Sequence, residues 1–394
     1  MNGEINNGNG NGNGKVKSAY KLPEYIKRIA ILYSHVKRED FPTEIQYITE
    51  KDAQKDAEYV ANEVRKFNVE CVAMSADDSL VEKLKEFKPD MVFNLVDSVK
   101  GLEYLASTIP GILDMLGIPF TGATLLGLAL CYNKYLSKRL LQSAGIPVPI
   151  FQLFHTPNDK LDVHLRFPLI SKLNEIHGGV EINDMAISEN EKQLRERLNF
   201  LMKTYNQEVI VEEYIAGREV VACVLEGTNT KIYMGERIFN KPDNKYIIAT
   251  FDDQWITPVA KDEKEWVYRY EKYEDPLLRE YVRRAFHITD MLDYAKFDIR
   301  IDASGRYYFI DSNANPAFGP KEYGTEELGT VMGYVMEGLY NIPFSEILRR
   351  IIVNTVGNGD TENTANSITD VTEPNELQND SEMIDENVEE VASI

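Results

Sequence analysis

The stretch KFDIRIDASGRYYFIDSNANP, residues 296–316, carries carboxylates and an amide at strand spacing. Two arms, FDIRI and RYYFID, flank the turn sequence DASG. Alternation puts Asp298, Arg300 and Asp302 on one face of the first arm, and Asp311 and Asn313 on one face of the second. A tight hairpin centred near Ser304 sets Asp298 almost opposite Asp311, where like charges destabilise a strand pair. A hard dication such as Mg2+ turns that repulsion into coordination, because carboxylate and amide oxygens are hard ligands. Sites of this kind commonly share the ion with substrate phosphates, and Arg300 adds a positive charge suited to a phosphate. The competing reading is a solvated acidic strand face, with Asp302 and Gly305 serving only the turn.

Other segments supply parts of a nucleotide site. Lys172 closes an apolar strand just before NEIHGGVEI, and a lysine there is costly unless paired. Gly178 and Gly179 let backbone approach a phosphate. The P-loop spacing G-x-x-x-x-G-K-[ST] is absent, and a bare HGG is more often just a turn. VEEYIAGRE places Glu212 and Glu213 at a strand end, where backbone and carboxylates suit an adenine and a ribose. An exposed strand end fits the same residues. His35, His155, His164, His177 and His287 show no metal spacing, and only His177 stands on the glycine loop. There is no G-x-S-x-G and no cysteine–histidine pairing to act as a nucleophile.

These residues need elements to hold them. From Arg28 the pattern reads strand–helix–strand–helix–strand: RIAILY, a helix over 51–67, VECVAM, a helix over 80–87, then DMVFNLV. That is the signature of a parallel sheet. A long helix over 125–143 stops at Gly145 and Pro147. The middle region reads as a small α+β unit, with strand FPLISKLN, a glycine loop HGGVEI opening into another strand, a helix over 189–205, and two strands about Gly217. The last region holds KIYMGER, the hairpin, a helix over 276–292 and closing helices over 325–353. The stretch 240–272 has mixed signals, and its length suggests a functional loop or lid. The expected division is a lead-in over 1–27, an α/β domain over 28–147, a central unit over 148–225, a catalytic unit over 226–356 and an acidic tail over 357–394. We see no internal repeat.

Composition bounds the partners. The chain has 394 residues and a net charge of −21, of which the tail supplies eleven acids and no Lys or Arg. The tail and the NNGNGNGNG lead-in read as disordered. The remaining charge, near −10, argues against a nucleic-acid surface. Mean hydropathy is negative. No apolar run reaches the roughly 20 residues of a membrane span, and no signal peptide is visible. Cys71, Cys131 and Cys223 lie far apart in apolar surroundings, as expected of buried thiols in a reducing, cytoplasmic compartment.

Four segments, taken in order, resemble one known family. LDMLGIPFTGATLLGLALCYNKYLSKRLLQSAGIPVP, FPLISKLNEIHGGVEI, VIVEEYIAGREV and FDIRIDASGRYYFIDSNANP are similar to the D-alanine–D-alanine ligase branch of the ATP-grasp superfamily. The similarity covers about 110–320; before 110 it lies in layout more than in motif. The resemblance implies an ATP-grasp fold, with a parallel α/β domain followed by central and C-terminal α+β domains. It implies that Lys134 and Lys172 bind ATP phosphates, covered by His177, Gly178, Gly179 and Val180. Glu212, with backbone from Glu213, Tyr214 and Ile215, would meet the adenine, and Glu219 the ribose. Asp298, Asp311 and Asn313 would ligate two Mg2+ ions, with Mn2+ a further candidate. Arg300 and Lys296 would stabilise the transferring phosphoryl group. The family activates a carboxylate as an acyl phosphate, releases ADP, and lets an amine displace phosphate to form an amide. Small-molecule substrates, and a homodimer formed through the N-terminal region, are also implied.

The departures fall in the amino-acid half. The family's Gly-Gly-x-Ser-x-Glu run after the first strand is replaced by LYSHVKREDFPTE, and its Gly-Glu-Asp-Gly segment by VDSVKGLEYLA. Its phosphate-loop serines have become His177-Gly178-Gly179, its metal glutamate the shorter Asp311, and Asn133-Lys134 replaces Asp-Lys. NANPAFGPKEYG lacks the family's acceptor-binding serine. The expectation is therefore a carboxylate–amine ligase of different substrates, with His35, Lys37, Arg38 and Lys321 as candidates for a substrate carboxylate. A phosphoryl-transfer enzyme with a non-amine acceptor, or an ATP-binding regulatory protein, stays open.

Overall fold

The computed structural model describes residues 21–227, 229–256, 266–321 and 329–359. The expected disorder of the lead-in and of the acidic tail lies outside them, apart from 21–27 and 357–359. The first elements are β1 (Arg28–Ser34), α1 (Glu44–Ile48), α2 (Ala53–Arg65), β2 (Glu70–Ala76), α3 (Leu80–Phe87) and β3 (Met91–Leu95). The three strands pair in parallel in the order β2-β1-β3. Ile29, Ile31 and Leu32 on β1 are fully buried. A strand hidden on both faces explains why RIAILY reads as a continuous apolar run.

Then come α4 (Thr108–Leu116), α5 (Leu125–Cys131) and α6 (Lys134–Ser143). The single helix expected over 125–143 is two. Asn133 breaks it by taking an extended conformation and capping α6, its side chain accepting from the Leu136 N–H at 3.0 Å. The next elements are β4 (Phe151–Phe154), β5 (Leu169–Leu173), β6 (Ile187–Ser188), α7 (Glu191–Tyr205) and β7 (Val209–Glu213). They form an antiparallel sheet of order β4-β7-β5-β6 with α7 packed on it. The strand expected to follow HGG is not there; residues 178–181 are turn, with Glu181 at positive φ, and the chain re-enters the sheet only at Ile187.

The last part holds β8 (Arg218–Leu225), β9 (Lys231–Phe239), α8 (Phe251–Trp255), β10 (Tyr268–Tyr273), α9 (Pro276–Ile288), β11 (Tyr294–Ile301), β12 (Tyr307–Asn313) and α10 (Phe344–Gly359). Five strands pair antiparallel in the order β10-β9-β8-β11-β12. Strand β8, which we expected in the central unit, bonds to β9 and β11, so the sheets hand over at Gly217 and not at 225. Ahead of α10 lies a π-helical turn over Gly333–Leu339, and α10 runs three residues past the expected limit of 356. One apolar core joins Leu32 and Val92 of the first sheet to Val220, Phe297 and Phe309 of the last, so the parallel and five-stranded sheets share an interior. Cys71, Cys131 and Cys223 are all buried thiols. No described helix is long and apolar enough to cross a membrane.

Candidate functional site

The register of β11 against β12 pairs Asp298 with Asp311 and Lys296 with Asn313, with an irregularity just after Asp298. Two carboxylates therefore face each other across the hairpin. Lys296 Nζ donates to one oxygen of Asp298, while the other, Oδ1, is buried without a hydrogen-bond partner. Burial alone would raise the Asp311 carboxyl. Lys134, His177, Lys172 and Lys296 outweigh it and hold Asp311 well below the usual carboxylate range. Asn313 Nδ2 stands 3.4 Å from Asp311 Oδ2. An orphaned buried oxygen, a firmly ionised carboxylate and an amide suit a hard dication. Among the described residues no trio of His, Cys, Asp or Glu is arranged for a metal, so a metal here depends on the amide as well.

Behind the hairpin lies a set of buried cations. Glu212, at the end of β7 and fully buried, is paired with Lys138 at 3.2 Å and Lys172 at 3.1 Å. Both ammonium groups also donate to the backbone carbonyl of Ile310, next to Asp311, at 3.0 and 3.1 Å. Lys134 Nζ donates to the Ile176 carbonyl at 2.7 Å. Burial pushes the Lys138 ammonium down to about 8, with Glu212 opposing and Lys172 reinforcing the shift. Lys138, not among the residues expected at the site, lies four residues after Lys134 on one face of α6. Glu212 is thus engaged by two lysines where an adenine contact was expected.

The glycine loop is wedged between two other parts of the chain. Gly178 and Gly179 both have φ near +67°; a Cβ on the first would meet Thr49 Cγ2 at 2.9 Å, and on the second Gln254 Nε2 at 2.7 Å. Trp255 Nε1 donates to the Gly178 carbonyl at 2.7 Å. The stretch expected as a lid thus touches this loop through α8, while its part over 257–265 is outside the described residues. Val180 is buried beneath the loop. The His177 backbone N–H and ring Nδ1 both bond to Glu103, at 2.9 and 2.8 Å to Oε2.

Arg300 and Glu219 sit otherwise than expected. Both oxygens of Glu219 are taken, one by Arg237 and one by Arg300 at 2.9 Å, so the carboxylate expected at a ribose is occupied within the sheet. Arg300 also donates to the Ile215 carbonyl at 3.1 Å and the Ile247 carbonyl at 2.9 Å. The N–H of Glu213 bonds to Ile150 and that of Tyr214 to Pro168, fixing this strand exit. His35, Lys37 and Arg38 are exposed and do not line the cavity, and Arg38 is paired with Glu44; of the four candidates for a substrate carboxylate only Lys321 lines it.

All the other residues expected at the site, Val180 and Glu213 included, border one cavity of about 1040 Å³. Its volume lies at the upper end of the ~300–1,000 Å³ usual for small-molecule sites. Further acids line it that the sequence did not single out, among them Glu50, Asp97 and Glu103.

A parallel α/β sheet followed by two antiparallel sheets, with basic side chains and a carboxylate hairpin between them, is the ATP-grasp fold. The D-alanine–D-alanine ligase from Bacillus anthracis complexed with ATP superposes with a TM-score of 0.63 at 20% identity, covering 86% of this chain and 99% of that one. The family model for the D-ala D-ala ligase C-terminus matches residues 140–322. Relatives include the D-alanine–D-alanine ligase of Aquifex aeolicus, 28% identical over 66% of this chain and 84% of its own. An uncharacterised protein of Sinorhizobium fredii is 29% identical over 63% of this chain and 74% of its own. The chain is thus similar to D-alanine–D-alanine ligases over residues 140–322 and shares their fold.

Proposed function

We propose that this chain is an ADP-forming carboxylate–amine ligase that joins small molecules other than two D-alanines. The observation that supports this reading most is the Asp298–Asp311 pair, ringed by Lys134, Lys172, Lys296 and His177 in one cavity. Such a constellation neutralises the charge that gathers during phosphoryl transfer.

In this reading Lys134 and Lys172 bind ATP phosphates, and His177, Gly178, Gly179 and Val180 close over them. Glu212 lies near the adenine and orients the two lysines. Backbone at Glu213, Tyr214 and Ile215 borders the ring. Asp298, Asp311 and Asn313 hold Mg2+, which when bound offsets phosphate charge. Arg300 and Glu219 brace one another, so Arg300 acts more by position than by free contact. A substrate carboxylate accepts the terminal phosphoryl group, giving an acyl phosphate and ADP. The attacking amine forms the C–N bond, loses its proton, and inorganic phosphate leaves with the C–O electrons. No covalent enzyme nucleophile is required. The replaced substrate motifs support altered substrates.

The test is nucleotide product analysis. Purified protein is incubated with ATP, Mg2+ and pooled amino acids and amines, and followed by mass spectrometry. ADP together with a product equal to two components minus water is expected. ADP without an amide would favour a non-amine acceptor, and AMP would overturn the acyl-phosphate route.

A further inference from the structure

Strand β12 changes face partway along its length. The register pairs Arg300 with Tyr308 and Ile299 with Phe309, then Asp298 with Asp311, so Ile310 has no partner on β11. That is a β-bulge of one residue on β12. Burial follows the slip: the core-facing residue is Phe309 before it, and Ser312 and Ala314 after it. Continued without the extra residue, the pairing of Ile299 with Phe309 would set Asp311 opposite Phe297, a fully buried side chain of the core. A slip of one residue sends every later side chain to the other face. The bulge therefore turns Asp311 and Asn313 away from the core, toward Asp298 and the cavity.

The bulge also redirects backbone groups. Strand β12 is the edge of its sheet. Successive carbonyls of a regular strand point to opposite edges, but those of Phe309 and Ile310 both accept from Lys138 Nζ, at 3.2 and 3.0 Å. Lys172 Nζ adds a second donor to the Ile310 carbonyl at 3.1 Å, and the Phe309 N–H donates to the Pro147 carbonyl at 2.8 Å. An ammonium has three donors. Around Lys138 stand three acceptors, the two carbonyls and Glu212 at 3.2 Å. Lys138 is 2% exposed and is not among the residues bordering the cavity, whereas Lys134 and Lys172 are. Its donors are committed behind the hairpin, with none left for a phosphate.

We propose that Lys138 is a positioning residue for the metal hairpin: it grips the bulged backbone at Phe309 and Ile310 and so keeps Asp311 aimed at Asp298. The inference rests on the ligase reading for the metal that Asp298, Asp311 and Asn313 would hold. Removing Lys138 withdraws the donor that the two carbonyls share in a buried place, where a lost partner is costly. The strand is then free to slip toward the regular register, which buries Asp311 against Phe297 and takes Asn313 off the cavity face.

The test reads metal binding rather than turnover. The full chain, with a non-hydrolysable ATP analogue, is titrated with Mn2+, and free Mn2+ is followed by electron paramagnetic resonance. Lys138→Met keeps the length of the side chain and removes its donors. It is expected to weaken Mn2+ binding by about ten-fold or more, with binding of the analogue in the absence of metal unchanged. Hydrogen exchange over 309–313 is expected to rise, with exchange in β1 unchanged. Lys138→Gln, a neutral donor on a shorter stem, is expected to lose less. A merely structural role would lower the melting temperature and weaken analogue and metal alike, and that result overturns the proposal. So does Mn2+ affinity preserved in either variant that folds. Absence of Mn2+ binding by the parent chain overturns the metal assignment and this proposal together. Mn2+ binding that depends on Lys138, in a chain that forms no ADP with any substrate, would sink the ligase reading and leave the role of Lys138 standing.

Discussion

At Asp311 one carboxylate answers to Lys134, His177, Lys172 and Lys296, so its removal disturbs several contacts together. Asp311→Asn combined with Asn313→Ala is expected to lower Mg2+-dependent ADP formation by roughly 100-fold or more; an undiminished rate would refute the metal assignment. Glu212→Gln leaves Lys138 and Lys172 facing one another in a buried space, and breaking such a pair costs about 3–5 kcal/mol. Urea unfolding should show that loss, and a midpoint within error of the parent would mean the three groups are not coupled. Glu50 gives a pH signature. Its carboxyl is raised to about 7 from an ordinary 4.5, by burial first, then by Glu103, while hydrogen bonds from Ser98 and Ser34 oppose the rise. Asp97, raised in turn by Glu50, faces it as well. The folded state therefore holds this proton more tightly than the unfolded chain. Its contribution is complete below pH 4.5 and is lost as pH rises through 7. Glu50→Gln is expected to flatten the fall in urea midpoint across that window; an unchanged slope would place the titration elsewhere.

Elements set how closely these residues approach. Gly217 carries the chain from β7 to β8 at φ +146°, and a Cβ there would meet the Ile301 carbonyl at 2.0 Å. Gly217→Ala is expected to cost more than about 1 kcal/mol, read as a lower melting temperature; an equal melting temperature would show that the turn relaxes. Asn133 caps α6, placing Lys134 at its first turn and Lys138 one turn on. Asn133→Ala should lose about 1 kcal/mol of helix stability and raise the KM for ATP, whereas Asn133→Asp should preserve both. The hairpin was legible because its period-2 alternation and its turn residues agree, and because alternation fixes which face each acid takes. The break at Asn133 was not, since an asparagine inside an apolar helical pattern reads as a tolerated polar residue until its side chain is seen to cap. The strand missing after HGG has a similar cause. Val180 and Ile182 alternate like a strand, but positive φ at Gly178, Gly179 and Glu181 denies them a ladder. The arginine and lysine commitments of Glu219 and Glu212 were hidden because the partners come from distant strands and helices.

Across the whole molecule, the three sheets meet around one cavity, and side chains ahead of α4 reach the glycine loop and α7 of the central part. Thr43 bonds to Tyr205 at 3.0 Å, Thr49 lies against Gly178, and Glu103 grips His177. Glu103→Ala should raise hydrogen exchange of the segment 176–182 without changing exchange in β1 or β11. Unaltered exchange there would show that the loop is held by α8 alone. The acidic half of the cavity escaped the sequence reading for a reason at this scale, as Glu50, Asp97 and Glu103 are separated along the chain and converge only when β1 and β3 are laid side by side. The Glu103–His177 contact also has a kinetic side. In the proposed ligase reading, a product leaving past the glycine loop would need that carboxylate to release His177. Under saturating substrates the pace of turnover would then be set by the parting of two bodies through solvent rather than by bond making, and the rate is expected to fall as glycerol thickens the medium.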